Sequence, residues 1–125
     1  GRPVLIDFSG YGCVNCRKME GAVFDTEEIS GIIRDNFVLI KLMVDDKTKL
    51  DTPYTVEDAG KTIKITTVGD KWSYLQRHKF AANSQPYYVM IGNDGNPLAV
   101  PYYYDENVAK FADWLASGIS KYTAQ

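Results

Sequence analysis

Residues 3–20 read PVLIDFSGYGCVNCRKME: an apolar run closed by glycine, two cysteines two residues apart, and the opening of a helical pattern. Leu5 and Ile6 stand side by side among β-branched neighbours, which marks a strand buried on both faces. Asp7 is the odd residue in that strand. From Cys13 onward, Cys16, Met19 and Val23 recur at spacings of three and four, so an amphipathic helix begins at or near Cys13. Gly21 should bend or weaken it. The cysteines therefore occupy a strand-to-helix turn.

Both cysteines of the chain fall within the same four residues. As a structural crosslink the pair would restrain little, because a disulfide limits the unfolded chain more as its loop lengthens. As half of a zinc site it lacks company. Closed tetrahedral binding takes four ligands and catalytic binding three, and the single histidine, His78, stands alone in a helical stretch. No metal and no organic cofactor is expected. The redox reading rests on position as well as spacing: at the head of a helix, unpaired N–H groups and the helix dipole stabilise a thiolate. Thiols in such sites have pKa values of about 3.5 to 7.5, against about 8.5 for free cysteine. Cys13 is then the exposed nucleophile, and Cys16, one turn in on the apolar stripe, the shielded thiol that resolves a mixed disulfide.

Two acids accompany the pair. A carboxylate on a strand buried on both faces pays desolvation, which raises its pKa and makes Asp7 a proton carrier able to serve Cys16. The plainer reading turns Asp7 to solvent at the strand end. Glu20 lies four residues after Cys16 on the same helix face, and its plainer reading is a solvated acid beside Arg17 and Lys18.

Outward from this stretch, DTEEISGIIRDN pairs Asp25 with Glu28 as a capping box and puts Ile29, Ile32 and Ile33 on one face of a second helix. FVLIKLMV, residues 37–44, reads as another buried strand ended by Asp45-Asp46. Residues 47–69 alternate polar and apolar on either side of Asp58-Ala59-Gly60, an exposed β-hairpin insertion. A helix carrying Trp72 and Leu75 follows, with Asp70 as its cap. YYVMIG, NDGN and PLAVPYYY then read as strand, turn and strand. Val108, Phe111, Trp114, Leu115 and Ile119 form the stripe of a last helix. The tyrosines at 87, 88 and 102–104 alternate across strands and read as sheet packing before an aromatic binding platform. Helices between strands imply parallel pairing, and the final hairpin adds an antiparallel edge. The expected fold is α/β, a mixed sheet with helices on both faces.

At 125 residues the chain is one domain, long enough to bury a core without disulfides. Its net charge of −2 offers no broad attraction for nucleic acid or anionic membranes. No apolar run reaches the roughly 18 residues of a membrane span, so the chain itself is not expected to insert. Gly1-Arg2-Pro3 runs into a strand within a few residues, which reads as a domain (1–125) excised from a longer protein, its leader or anchor removed.

DFSGYGCVNC, with Asp six residues before the first cysteine, and the QP that opens a later strand together resemble the thioredoxin superfamily. Val14-Asn15, CRKME and VFDTEEI are most similar to one branch, the C-terminal thioredoxin-like domain of the bacterial transmembrane thiol:disulfide interchange protein. The resemblance implies a thioredoxin-like sheet with its first strand and helix reduced, and residues 47–69 inserted. It implies a protein-disulfide reductase on the periplasmic side of the inner membrane, fed by its own membrane domain, with electrons ending in disulfide isomerases and cytochrome c maturation factors. Cys13 and Cys16 become nucleophile and resolving thiol, tuned by Asp7 and Glu20. Tyr11, Gly12, Val14 and Asn15 around the nucleophile, with Gln85 and the cis-proline position Pro86, become the substrate-contacting set. Gly12 stands where the superfamily usually has Trp. A monomer is expected, with partner disulfides as substrates. The rivals are a free-standing thioredoxin-like reductase or isomerase, and a non-enzymatic binding module whose hairpin carries the docking.

Overall fold

In the computed structural model, which describes residues 1–125, β1 (Val4–Ser9) is the middle strand of a three-stranded sheet. β2 (Val38–Met43) runs parallel to it, with Asp7 beside Lys41 and Ser9 beside Met43. The two strands carry nearly the same pattern, VLIDFS against VLIKLM, so one register aligns the apolar positions and the two charges together. On the other side of β1 lies a five-residue strand, Tyr87–Ile91, running antiparallel with Phe8 beside Tyr87.

Helices cover both faces. On one face α1 (Val14–Met19) is followed by α2 (Glu27–Asn36), and the chain's last helix (Val108–Thr123) packs against α2. Beneath them lies a cluster of 13 buried residues that includes Leu5, Met19, Ile29, Met90, Phe111 and Leu115. Full burial of each such side chain stabilises the fold by about 1.5–3 kcal/mol. The other face holds a smaller cluster of five around Phe8 and Tyr87, packed by Trp72, Leu75 and Phe80 of α3 (Val68–Phe80). Residues 49–67 form their own two-stranded sheet, β3 (Lys49–Asp58) and β4 (Lys61–Thr67), turning on Ala59 and Gly60, both at positive φ, while Val68 and Gly69, expected in the insertion, open α3. The Tyr87–Ile91 strand is therefore β5 and the last helix α4. No helix is long and apolar enough to cross a membrane.

Several expectations need correction. β2 is an edge strand, with Val38, Leu39 and Ile40 at 48, 45 and 40% exposure, because only β1 flanks it. β5 is antiparallel to β1 although α3 lies between them in the chain. PLAVPYYY forms no continuous strand. Gly95 makes the turn at φ +81, but only two isolated bridges follow, Ile91 with Pro97 and Tyr88 with Tyr102. Pro97 and Pro101 have no N–H to donate to a ladder. Near Gly21 the helix loosens into a π-helical turn, Glu20–Phe24. The cap of α2 is Thr26, whose Oγ1 accepts from Ile29 N at 3.3 Å, in place of Asp25. α3 is capped by Thr67, with Asp70 as the reciprocal acid of the capping box. Gly69 makes that early start possible: a Cβ there would lie 2.6 Å from the carbonyl oxygen of Val44 and 2.7 Å from the backbone of Asp46.

Candidate active site

Three strand ends meet at one edge of the sheet. β1 and β2 finish there side by side, and Val44 N donates to Ser9 O at 2.9 Å. β5 begins there, its first residue Tyr87 beside Phe8, so that Pro86 precedes the strand at the same edge. The turn Gly10–Gly12 leaves β1 at this edge and delivers Cys13 as the N-cap of α1, with extended backbone (φ −89°, ψ 104°). Cys13 N donates back to Gly10 O at 3.2 Å, and Cys16 N donates to Cys13 Sγ at 3.1 Å. An N-cap atom in this place accepts one of the unpaired donors of the first turn, which is the physical basis for a stabilised thiolate. The two cysteines are disulfide-bonded, their Cα atoms 5.3 Å apart. Cys13 is half-buried and Cys16 only 2% exposed, so a partner sulfur reaches the first and not the second.

Asp7 lies inside the fold, 4% exposed, and its Oδ1 has no hydrogen-bond partner. Burial pushes its carboxyl up to about 6; the charge of Lys41 pulls the other way, Glu20 adds to the rise, and Arg17 opposes it. The solvent-facing alternative for Asp7 is thereby removed. Glu20 closes α1 and accepts from Arg17 Nη2 at 2.9 Å and Lys41 Nζ at 2.7 Å. Burial raises its pKa, but the hydrogen bonds and charges of Lys41 and Arg17 outweigh that and hold it below the usual carboxylate range. Glu20 is thus a paired anion rather than a free solvated acid. Arg17 Nη2 also donates to Ser9 Oγ at 3.1 Å, tying the last turn of α1 to the buried end of β1.

Tyr11 and Val14 are 65 and 66% exposed, and Gly12 and Asn15 are exposed with them, forming the rim around Cys13. Gln85 is half-buried and precedes Pro86 through a cis peptide bond. Two side chains that the sequence reading passed over hold these segments. Asp45 accepts from Tyr11 N and Gly12 N at 2.8 and 3.0 Å. Gln76, fully buried on α3, donates through Nε2 to Ser84 O and accepts from Gln85 Nε2, both at 2.8 Å. A signal for Gln76 existed: it falls four residues after Trp72 on the apolar stripe, where a polar side chain must find partners. Lys41 is the lone cation of β2 opposite the lone acid of β1, a pairing visible only once the two strands are aligned. His78 stacks on Tyr74 at 5.1 Å, and no three His, Cys, Asp or Glu side chains converge in metal-binding fashion.

Residues 1–118 match the family of thioredoxin-like domains. The chain belongs to that family. This thioredoxin-like domain is similar in structure to the oxidoreductase DsbH (12% identity over 95% of this chain and 73% of the other, TM-score 0.69). It is similar to a thioredoxin from Thermus thermophilus (18%, 99% and 78%, 0.69). It is also similar to the C-terminal domain of DsbD from Neisseria meningitidis in its reduced form (15%, 94% and 81%, 0.62). By sequence, no curated protein matches the chain. A thioredoxin-like domain with a bonded Cys-X-X-Cys pair at the head of its first helix is a protein thiol–disulfide oxidoreductase.

Proposed function

We propose that the domain is a reductant of the cell envelope. It takes electrons from a membrane-embedded dithiol donor and passes them to disulfides of partner proteins on the periplasmic side, in the manner of the DsbD C-terminal domain. The observation that carries the reading is the asymmetry of the pair, with Cys13 reachable at the helix N-cap and Cys16 closed off behind it.

In the reduced domain the Cys13 thiolate attacks one sulfur of the partner disulfide, forming a mixed disulfide and expelling the partner's first thiolate. Asp7, its carboxyl raised toward neutrality by burial, accepts the proton of Cys16. The Cys16 thiolate then attacks Cys13 Sγ, forming the intramolecular disulfide and releasing the partner's second thiolate. Two electrons pass to the partner, and two protons follow to its thiols. Glu20, paired with Lys41 and Arg17, fixes the local field rather than carrying the proton. Tyr11, Gly12, Val14 and Asn15 border the approach to Cys13, and the backbone at Gln85-Pro86 lines the partner strand. The chemistry uses no metal or organic cofactor.

The test is entrapment. Cys16→Ser mixed with an oxidised envelope protein should accumulate a disulfide-linked adduct through Cys13, seen as a mass shift reversed by dithiothreitol. No adduct with any of several oxidised partners, or an equal adduct in Cys13→Ser, would sink the assignment.

A further inference from the structure

Asp45 takes no part in the exchange steps above, yet its carboxylate is committed to the nucleophile's own turn. It follows β2 after Val44, and the parallel β1–β2 pairing, which ends at Ser9 beside Met43, leads it to the turn after β1. Both oxygens are occupied by backbone: Tyr11 N donates to Oδ1 at 2.8 Å and Gly12 N to Oδ2 at 3.0 Å. The turn is shaped around this carboxylate. A Cβ on Gly10 would stand 3.2 Å from Oδ2, and one on Gly12 would stand 3.7 Å from it. With the Cys13 N–H turned to Gly10 O, the backbone donor left to the Cys13 sulfur is Cys16 N, at 3.1 Å.

A helix N-terminal turn usually lends its free amides to an anion. Here the two amides that precede the helix, those of Tyr11 and Gly12, are held by Asp45, which places a charge of the same sign as a thiolate next to the turn. Those two hydrogen bonds, with the Gly12 amide first and the charge of Arg17 assisting, hold the Asp45 carboxyl below its usual range, so it stays ionised wherever a thiol titrates. A pair whose thiolate is strongly stabilised is an oxidant, and one whose thiolate is less stabilised is a better reductant. We propose that Asp45 is a positioning residue that withholds the Tyr11 and Gly12 amides from the Cys13 sulfur and opposes its negative charge, thereby keeping the pair at the reducing end of its range. This rests on Cys13 being the nucleophile of a working redox pair.

Asp45→Asn isolates the effect. Asparagine keeps the shape, but its Nδ2 cannot accept the second amide, and the charge is gone. Arg17, Asp7, Glu20, Lys41 and the adjacent Asp46 are unchanged, so their contributions cancel in the comparison. The whole chain is equilibrated with glutathione, where the disulfide and two glutathione thiols exchange with the dithiol and one glutathione disulfide, and free thiols are counted by alkylation and mass. Asp45→Asn should shift that equilibrium toward the dithiol by roughly threefold or more. The Cys13 thiolate absorbance should appear at lower pH than in the unaltered protein. Asp45→Glu, which keeps the anion and two acceptors, should restore most of both. If Asp45→Asn does not fold, Asp45→Ser serves as the neutral variant with the same expectation.

A purely structural role would lower the unfolding temperature while leaving the equilibrium and the thiolate titration in place, and that result overturns the proposal. So does a shift toward the disulfide. If the unaltered protein shows no reversible two-thiol transition, the oxidoreductase reading fails and this inference with it. If it does and the neutral variants match it, only the role of Asp45 falls.

Discussion

Asp7 occupies a place where its charge is expensive. It has no hydrogen bond to Oδ1, and burial raises its carboxyl from 3.8 to about 6 against the pull of Lys41. The folded chain therefore holds this proton more tightly than the unfolded one. Stability from this group is greatest below about pH 4, falls as pH rises toward 6, and is lower by about 3 kcal/mol above that, two pKa units at about 1.4 kcal/mol each. Asp7→Asn should raise the unfolding free energy of the oxidised protein at pH 8 by about 1–3 kcal/mol and change it little at pH 4, as read by urea titration. An equal gain at both pH values would mean the carboxyl is not shifted. The same substitution removes the proton acceptor proposed for Cys16, so resolution of the mixed disulfide should slow even as the fold gains stability. At this scale the sequence was informative: a lone acid in a double-faced apolar strand announces a raised pKa. Its partner Lys41 required aligning two strands, and Asp45 required knowing which loops those strands bring together. Neither follows from local spacing.

Among the elements, α3 does work for the site that its position in the chain conceals. Gln76 is its one fully buried polar side chain, and both of its hydrogen bonds end on the segment leading to Pro86. Gln76→Ala should cost about 1–3 kcal/mol, because Ser84 O and Gln85 Nε2 each lose a partner. It should also raise KM for a protein disulfide more than it lowers kcat, since the loop it steadies borders the substrate rather than the sulfurs. A loss confined to kcat would contradict that division. β2 offers the contrast: Leu39→Thr, on an exposed edge, should change stability by less than about 1 kcal/mol in the same urea titration. The alternation and periodicity of the chain made every helix and most strands legible. What escaped was non-local. Whether an apolar strand is central or at an edge depends on neighbours elsewhere in the chain, which is why Val38, Leu39 and Ile40 looked buried. The choice of Thr26 over Asp25 as cap depends on how far the π-helical turn runs before the backbone extends.

Across the whole molecule the hairpin and the redox edge stand as separable parts. Between residues 51 and 64 no side chain is buried; the first anchored residue is Ile65, 1% exposed and paired with Tyr54. The far end is fastened by one ion pair, Arg77 to Asp58 at 2.7 Å, with Arg77 braced by Ser73. Partly exposed pairs of this kind contribute at most about 1 kcal/mol. Replacing Thr55–Lys64 by Asn-Gly would close a two-residue turn over the retained Tyr54–Ile65 pair. The shortened protein should lose no more than about 1 kcal/mol in urea and keep its glutathione equilibrium within about twofold. A larger fall in stability, or a displaced two-thiol transition, would mean that the hairpin braces the Asp45 turn through the base it shares with α3. That base is where Val68 N donates to Thr48 O and Gly69 N to Asp46 O, each at 2.9 Å. Because the shortening leaves this base intact, the same variant also asks what the polar strands are for. If reduction of a cognate protein disulfide slows while exchange with glutathione does not, the hairpin is a docking element; equal rates with both remove that role.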